Sequence, residues 1–218
     1  MNHKNDNLGI ALVVSGPSGT GKSTICSAIT ENNQNINFSI SCTTRNPRPQ
    51  EQNGVDYYFL TREEFESKIS LGLFIEYAEV HGNFYGTLCS EIIDRVEKGQ
   101  DVLLDIDVQG AMQIKQFSKN NPMLAAAAEY IFVAPPNLEI LEKRLRSRGT
   151  EEDHIIQIRL NNAIEELGKW KKYDYMIIND DLDDAVSDFQ RLYEVLHLKT
   201  NKVKNVSFGN LTEGKNEK

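Results

Sequence analysis

The sequence is poor in cysteine, and its cysteines form no pattern that would bind a metal or stabilise a secreted fold. Cys26, Cys42 and Cys89 are the only three in 218 residues, they lie far apart, and no Cys-x-x-Cys pair occurs. The four histidines also lack the spacing of metal ligands. A disulfide framework and a zinc site are therefore not expected, and a reducing cytoplasm is the natural location.

Two further absences limit the partners. No hydrophobic run is long enough to span a bilayer, since residues 123–134 are too few and include Glu129. Basic residues do not outnumber acidic ones: 24 Lys and Arg stand against 32 Asp and Glu, for a formal charge of −8. We therefore expect no membrane partner and no nucleic-acid partner. A polyanionic substrate would need local clusters of Arg and Lys.

The most informative segment is residues 16–23, GPSGTGKS, which fits the phosphate-binding pattern G-x-x-x-x-G-K-[ST] at every fixed position. A strand-like apolar run precedes it and a helix-like run follows. Its glycines let backbone N–H groups point inward toward a triphosphate. Lys22 can reach the β- and γ-phosphates, and the Ser23 hydroxyl can ligate Mg²⁺. An ordinary strand-to-helix turn is the alternative. The residues expected to contact ATP here are Gly16, Pro17, Ser18, Gly19, Thr20, Gly21, Lys22, Ser23 and Thr24.

Strands alternate with helices along the chain, which predicts an α/β fold with a parallel sheet. One strand, residues 101–107, is apolar and contains Asp105 and Asp107 at its end. In a phosphate-loop protein such a strand lies beside the first one, with its terminal aspartate near the metal. Alternatively, it is a buried strand that ends in solvated acids. Position alone does not decide which aspartate serves the metal.

Arginine and tyrosine predict a second phosphate site. Arg45 and Arg48 lie in a proline-bounded loop, and Tyr57 and Tyr85 offer hydroxyls from neighbouring strands. A guanidinium can bond two phosphate oxygens and a phenol can donate one more hydrogen bond. A solvated basic loop with two packed tyrosines is the alternative.

A second arginine group could close over a transferred phosphoryl group. Arg144 and Arg148 are four residues apart on one predicted helix face, and Arg159 lies beyond the turn at Gly149. Such a cap would stabilise developing charge and exclude water. A plain charged helix face is the alternative.

Taken together, these motifs make the chain resemble the guanylate kinase family over about residues 9–195. Segment 41–51, SCTTRNPRPQE, carries the most specific match, because many kinases and ATPases share the phosphate loop. Further matches are Gly54-Val55-Asp56-Tyr57, Phe74-Ile75-Glu76, Tyr85-Gly86-Thr87, residues 104–110, residues 144–150 and Asn179-Asp180-Asp181.

The resemblance implies one domain, residues 9–198, in three parts. These are a phosphate-loop NTPase-type parallel sheet core flanked by helices, an inserted GMP-binding lobe at about residues 39–100, and a helical lid at about residues 143–162. Residues 1–8 and 199–218 are expected to be flexible tails. The implied reaction is ATP-dependent phosphorylation of GMP and dGMP, with ATP and GMP as partners and Mg²⁺ as cofactor. The sequence leaves a homodimer open.

The resemblance also implies the site residues. The GMP ligands are Ser41, Arg45, Arg48, Glu51, Tyr57, Glu76, Tyr85, Thr87 and Asp107. The catalytic group is Lys22, Arg45, Arg144, Arg148 and Arg159. Asn179 joins the ATP site, and Ser23 and Asp105 form the metal site.

The base site has a physical rationale of its own. Glu76 can accept hydrogen bonds from guanine N1–H and the 2-amino group, while hydroxyls of Ser41 and Thr87 donate to O6. Adenine lacks both donors and would leave the carboxylate unpaired.

Two alternatives come from other classes of protein. A guanylate-kinase-like interaction module keeps the lobe but typically erodes the phosphate loop, which is intact here. A phosphate-loop kinase for AMP or dTMP would have no use for the pair Ser41 and Glu76.

Overall fold

The structure is a computed structural model that describes residues 7–147 and 153–203. The strands are β1 (Ala11–Ser15), β2 (Ile36–Phe38), β3 (Cys42–Thr43), β4 (Tyr58–Phe59), β5 (Phe74–Val80), β6 (Asn83–Leu88), β7 (Asp101–Asp105), β8 (Ala128–Ala134) and β9 (Tyr175–Ile178). The helices are α1 (Lys22–Asn32), α2 (Arg62–Ser70), α3 (Cys89–Glu97), α4 (Val108–Ser118), α5 (Pro122–Ala127), α6 (Leu138–Ser147), α7 (Asp153–Leu167) and α8 (Leu182–Leu196).

The core is a five-stranded parallel sheet in the order β2-β7-β1-β8-β9. β1 and β8 are buried along their whole length, as expected of strands with helices on both faces. Leu12 and Val14 of β1 pack with α1 and α8, whereas Ala11 and Val13 pack with α3, α4 and α5. The predicted α/β class with a parallel core is confirmed.

A smaller lobe interrupts the core between β2 and β7. Its sheet has the order β4-β3-β6-β5, and α2 packs against it. This helix begins with a capping box, in which the Thr61 hydroxyl accepts from the Glu64 N–H at 3.2 Å and the Glu64 carboxylate accepts from the Thr61 N–H at 2.7 Å. Phe65 of α2 is fully buried and stacks between Phe74 and Phe84, with ring centroids 4.2 and 5.1 Å away.

An irregularity in β5 joins the lobe to the core. The pairing of β5 with β6 shifts between Phe74, opposite Leu88, and Glu76, opposite Thr87, so Ile75 is the extra residue of a bulge. As a result Phe74 packs inside the lobe, and Ile75 packs with the core cluster under α4. The next residue, Glu76, is thereby aimed into a cavity between the two parts.

The C-terminal boundary of the fold differs from the expectation. Residues Thr200–Lys202 form a 3-10 helix, and Lys202 is only 2 % exposed, with Nζ 2.7 Å from Glu129 Oε1. Lys199 Nζ lies 2.6 Å from the other oxygen of Glu129, and the Leu8 N–H donates to the Lys202 carbonyl at 2.8 Å. Leu8, Lys199 and Lys202 therefore contact the fold, whereas the sequence predicts that they belong to flexible tails.

Among the residues that the structure describes, no helix is both long and apolar enough to cross a membrane.

Ending the chain after Leu198 should destabilise the fold. Glu129 would lose both cationic partners, and breaking a buried ion pair in this way costs about 3–5 kcal/mol. Urea unfolding should show a correspondingly lower midpoint, whereas a chain ending after Val203 should unfold like the full chain. Adding Glu129→Leu to the short chain should recover part of the loss. Equal midpoints for the two chain lengths would contradict the anchoring role.

Candidate functional site

The loop between β1 and α1 is held in a backbone conformation that requires glycine. Gly16, Gly19 and Gly21 have φ values of 151°, 89° and 84°, which side-chain-bearing residues rarely adopt. A Cβ on Gly21 would also lie 2.3 Å from the Asn179 amide nitrogen. The loop encloses a pocket of about 170 Å³ lined by Pro17, Ser18, Gly19, Thr20, Gly21, Lys22, Ser23 and Thr24. A polar pocket at the start of a helix is suited to an anion.

Asn179 supports this loop from behind. It directly follows β9, is 4 % exposed, and donates from Nδ2 to the Thr20 carbonyl at 2.7 Å. The guanidinium of Arg144 in turn donates to the carbonyls of Asn179 and Asp180, at 2.8 and 3.0 Å. The end of β9 therefore connects the phosphate loop to α6.

One carboxylate organises the two functional side chains of the loop. Parallel pairing sets Val14 of β1 opposite Asp105 at the end of β7, as expected from the sequence. Asp105 Oδ1 lies 2.7 Å from Lys22 Nζ, and its Oδ2 accepts from the Ser23 hydroxyl at 2.5 Å. Ammonium, carboxylate and hydroxyl thus form one contiguous polar group at the mouth of the loop.

The second aspartate has a different position. Asp107 caps α4, with Oδ1 accepting from the Gly110 N–H at 2.7 Å. Ser23 is contacted by Asp105 and not by Asp107. The side chains of Ser23 and Asp105 supply oxygen donors of the kind that Mg²⁺ prefers. Mg²⁺ takes few protein ligands where substrate phosphates complete its shell. The donor set therefore fits Mg²⁺, although no group of three metal-ligating side chains occurs among the described residues.

The residues of the predicted second phosphate site lie close together in the lobe. Arg45 makes a two-pronged ion pair with Glu51, at 3.0 and 2.8 Å, and the Arg48 N–H donates to the same carboxylate at 2.7 Å. The guanidinium of Arg45 also lies 5.6 Å from the ring centroid of Tyr57, which meets Tyr85 edge-on at 6.2 Å. These hydrogen bonds lower the pKa of Glu51, so it stays ionised and orients Arg45.

A cavity of about 290 Å³ lies between the lobe and the core. Ser41, Tyr57, Tyr85 and Glu76 line it from the lobe, and Asp105, Ile106 and Asp107 line it from the end of β7. Asp105 therefore borders this cavity and also contacts Lys22 of the phosphate loop. Asp105 consequently lies between the phosphate loop and this cavity.

Glu76 is a buried carboxylate in the lining of this cavity. It is 8 % exposed and accepts from the Thr87 hydroxyl at 2.6 Å, and Thr87 lies 3.4 Å from the Ser41 hydroxyl. Burial raises the pKa of Glu76 to about 7, partly offset by the Thr87 hydrogen bond. The three residues expected to read the base thus lie together.

The arginines of the expected lid are only partly brought together. Arg159 of α7 donates to the Ser18 hydroxyl of the phosphate loop at 3.4 Å. Arg144 instead binds backbone carbonyls at the end of β9, so its guanidinium supports the loop from outside. Arg148 lies outside the described residues.

The sequence interpretation missed two residues of α4. A Cβ on Gly110 would lie 2.5 Å from Ile106 Cδ1 and 3.0 Å from Glu76 Oε2, so only glycine lets Glu76 approach the helix. One turn later, Gln113 forms two hydrogen bonds to the backbone of Tyr77. The position of Gly110 just after the strand could have indicated a close approach. Nothing in the local pattern indicates the partner of Gln113.

The chain is similar to known proteins of one family. The sequence model described as guanylate kinase matches residues 9–196, which is most of the chain. The chain belongs to the guanylate kinase family. Among curated members, the guanylate kinase of Fusobacterium nucleatum is 50 % identical over 188 residues, covering 86 % of this chain and 97 % of that protein.

Other members of the family match over similar lengths. The guanylate kinase of Carboxydothermus hydrogenoformans is 45 % identical over 206 residues, covering 94 % of this chain and 96 % of that protein. A crystal structure of guanylate kinase from Anaplasma phagocytophilum superposes with a TM-score of 0.71 at 35 % identity, covering 92 % of each chain. The family and the fold class expected from the sequence are both confirmed.

The burial of Glu76 should make stability depend on pH. Its pKa is raised from 4.5 to about 7 in the folded state, so the folded chain keeps a proton that the unfolded chain loses. The contribution of Glu76 to the free energy of unfolding therefore falls as pH rises through this window and stays low above it. We compare the free energy of unfolding of the Glu76→Gln variant with that of the unsubstituted chain. The difference in favour of the variant should increase by about 2–3 kcal/mol between pH 4.5 and pH 8.

Urea unfolding without nucleotide at both pH values measures this gain. Glu79→Gln, on the same strand but exposed to solvent, is the matched control and should show no such gain. If the difference in unfolding free energy between the Glu76→Gln variant and the unsubstituted chain did not change with pH, the raised pKa of Glu76 would be contradicted.

Proposed function

We propose that this protein transfers the γ-phosphoryl group of ATP to GMP, and also to dGMP, giving GDP and dGDP. The observation that carries the proposal is the meeting of two sites at Asp105. On one side lies the glycine loop with Lys22, and on the other lies a cavity whose buried carboxylate, Glu76, is matched to guanine. Membership of the guanylate kinase family supports the same reaction.

ATP would bind with its phosphates in the glycine loop. Backbone N–H groups and the N-terminus of α1 supply donors, and Lys22 neutralises the β- and γ-phosphates. The close contact of Asn179 with Thr20 keeps the loop in shape. Ser23 and Asp105 would hold Mg²⁺, which would supply charge neutralisation for the transferred phosphoryl group.

GMP would bind in the cavity between lobe and core. Glu76 would accept from guanine N1–H and the 2-amino group, and the Ser41 hydroxyl would face O6. The Thr87 hydroxyl donates its proton to Glu76 and would therefore hold this carboxylate in place, in contrast to the role expected from the sequence. Arg45, Arg48, Tyr57 and Tyr85 would bind the 5′-phosphate, with Glu51 holding Arg45 in orientation. Asp107 lines the same cavity.

The chain's own residues then act by positioning and charge. The attacking oxygen of GMP is already anionic, so the reaction needs no general base. Lys22 and Arg45 neutralise the two phosphate groups as they approach in line. Arg159 lies beside Ser18 of the phosphate loop, and we propose that it and Arg148 stabilise the transferred group. Arg144 would act through the backbone that it binds at Asn179.

Other properties stay predictions from the sequence. These are a cytoplasmic location, the absence of nucleic-acid and membrane partners, and the possibility of a homodimer. The alternatives of a silent binding module or a kinase for another monophosphate gain no support from the comparisons.

A coupled assay with GMP, dGMP, AMP, dTMP and UMP tests the proposed reaction. GMP should be preferred over AMP by a factor of about 10⁴, because adenine leaves the buried carboxylate unpaired. Lys22→Met should lower kcat by at least about 100-fold on GMP, since it removes charge at the transferred phosphoryl group. Comparable turnover of AMP would refute the base assignment, and no turnover of any substrate would favour a binding module.

The two aspartates at the end of β7 can be separated by their response to Mg²⁺. Asp105→Asn should lower kcat by about 100-fold or more and raise the Mg²⁺ concentration needed for half-maximal rate, because it removes a charged oxygen beside Ser23. Asp107→Asn keeps a helix cap and should alter KM for GMP without shifting the Mg²⁺ dependence. The reverse pattern would assign the metal to Asp107.

A further inference from the structure

One side chain of the core helix α4, Gln113, forms two hydrogen bonds to the outer lobe strand β5. Gln113 Oε1 accepts from the Tyr77 N–H at 3.1 Å, and Gln113 Nε2 donates to the Tyr77 carbonyl at 3.0 Å. β5 is the last strand of its sheet, so a backbone group on its outer edge has no further strand to pair with. The side-chain amide takes the place of the missing strand at this residue.

This contact lies next to the carboxylate that would read guanine. Tyr77 directly follows Glu76, and Gly110, three residues before Gln113 on the same helix face, is the position where a Cβ would come within 3.0 Å of Glu76 Oε2. Glu76 is also held from the lobe by Thr87. The carboxylate therefore lies between a lobe residue and one face of α4.

The helix itself is fixed to the core. Ala111 and Ile114 are fully buried in the cluster under β1 and β7, and Asp107 caps the N-terminus. In contrast, β5 leaves the core after Ile75, and Tyr77 and Val80 are 40 % exposed. Beyond the bulge, β5 is paired with β6 of the lobe sheet, so the two hydrogen bonds of Gln113 act on the position of this lobe strand relative to the core helix.

We propose that Gln113 is a positioning residue for the guanine site. By bonding both backbone groups of Tyr77, it fixes β5 against α4 and so sets the place of Glu76 relative to the end of β7. This inference rests on the proposed function. Gln113 would thus contribute to the specificity for guanine although it lies on a core helix and does not touch the substrate.

Gln113→Met tests the contact at nearly constant volume, and Gln113→Ala removes the side chain altogether. Both should raise KM for GMP about tenfold, lower kcat by less than about threefold and leave KM for ATP unchanged, because only the placement of the base site is affected. The preference for GMP over AMP should fall by a similar factor. Gln116→Ala, on the same helix and bonded to Lys119, is the matched control and should behave like the unsubstituted enzyme.

Amide hydrogen exchange supplies a readout that does not depend on activity. The Tyr77 N–H should exchange faster in the Gln113→Met variant while the amides of β1 keep their protection, since only one contact is lost. Unchanged KM for GMP in both Gln113 variants would overturn the proposal. So would a parallel rise in both KM values, which indicates a general loss of structure. If the unsubstituted enzyme failed to phosphorylate GMP, the proposed function would fall while faster Tyr77 exchange still established the contact.

Discussion

The organisation of the site depends on the carboxylate of Asp105. Parallel pairing of β7 with β1 brings it opposite Val14, at the edge from which the phosphate loop starts. There it bonds both Lys22 and Ser23. Lysine is long and flexible, and ordering it costs side-chain entropy, so a fixed partner places its charge before any nucleotide binds. The strand order of the sheet thus determines the geometry of the phosphate site.

Three successive residues of β5 position the lobe, because their side chains pack in three different places. Phe74 packs inside the lobe, Ile75 packs in the core, and Glu76 faces the cavity between them. A regular strand would direct the first and third side chains to one face, so the bulge is what separates them. The cost is a buried carboxylate with a raised pKa. Such a local penalty is typical of a site that is arranged for binding.

Local patterns predicted much of the core and of the site, and contacts between distant parts of the chain account for the rest. The glycine loop and the strand ending at Asp105 are short-range signals, and the parallel sheet follows from alternating strands and helices. By contrast, the polar segment from Lys199 resembles a tail in sequence, and its burial depends on contacts with distant residues, above all Glu129, about seventy residues earlier. The contact of Gln113 with Tyr77 involves only backbone groups of its partner. A sequence pattern cannot identify such a partner, because every residue except proline offers the same N–H and C=O.

The arginines show why helical spacing alone does not assign a role. Spacing by four puts Arg144 and Arg148 on one face, yet the guanidinium of Arg144 binds the carbonyls of Asn179 and Asp180. Leu141 and Leu145 of the same helix would meet a Cβ on Gly19 at 3.1 and 2.9 Å. α6 therefore rests directly on the phosphate loop and stabilises its shape. Because the guanidinium of Arg144 is engaged in this support, its helical spacing from Arg148 does not identify its role.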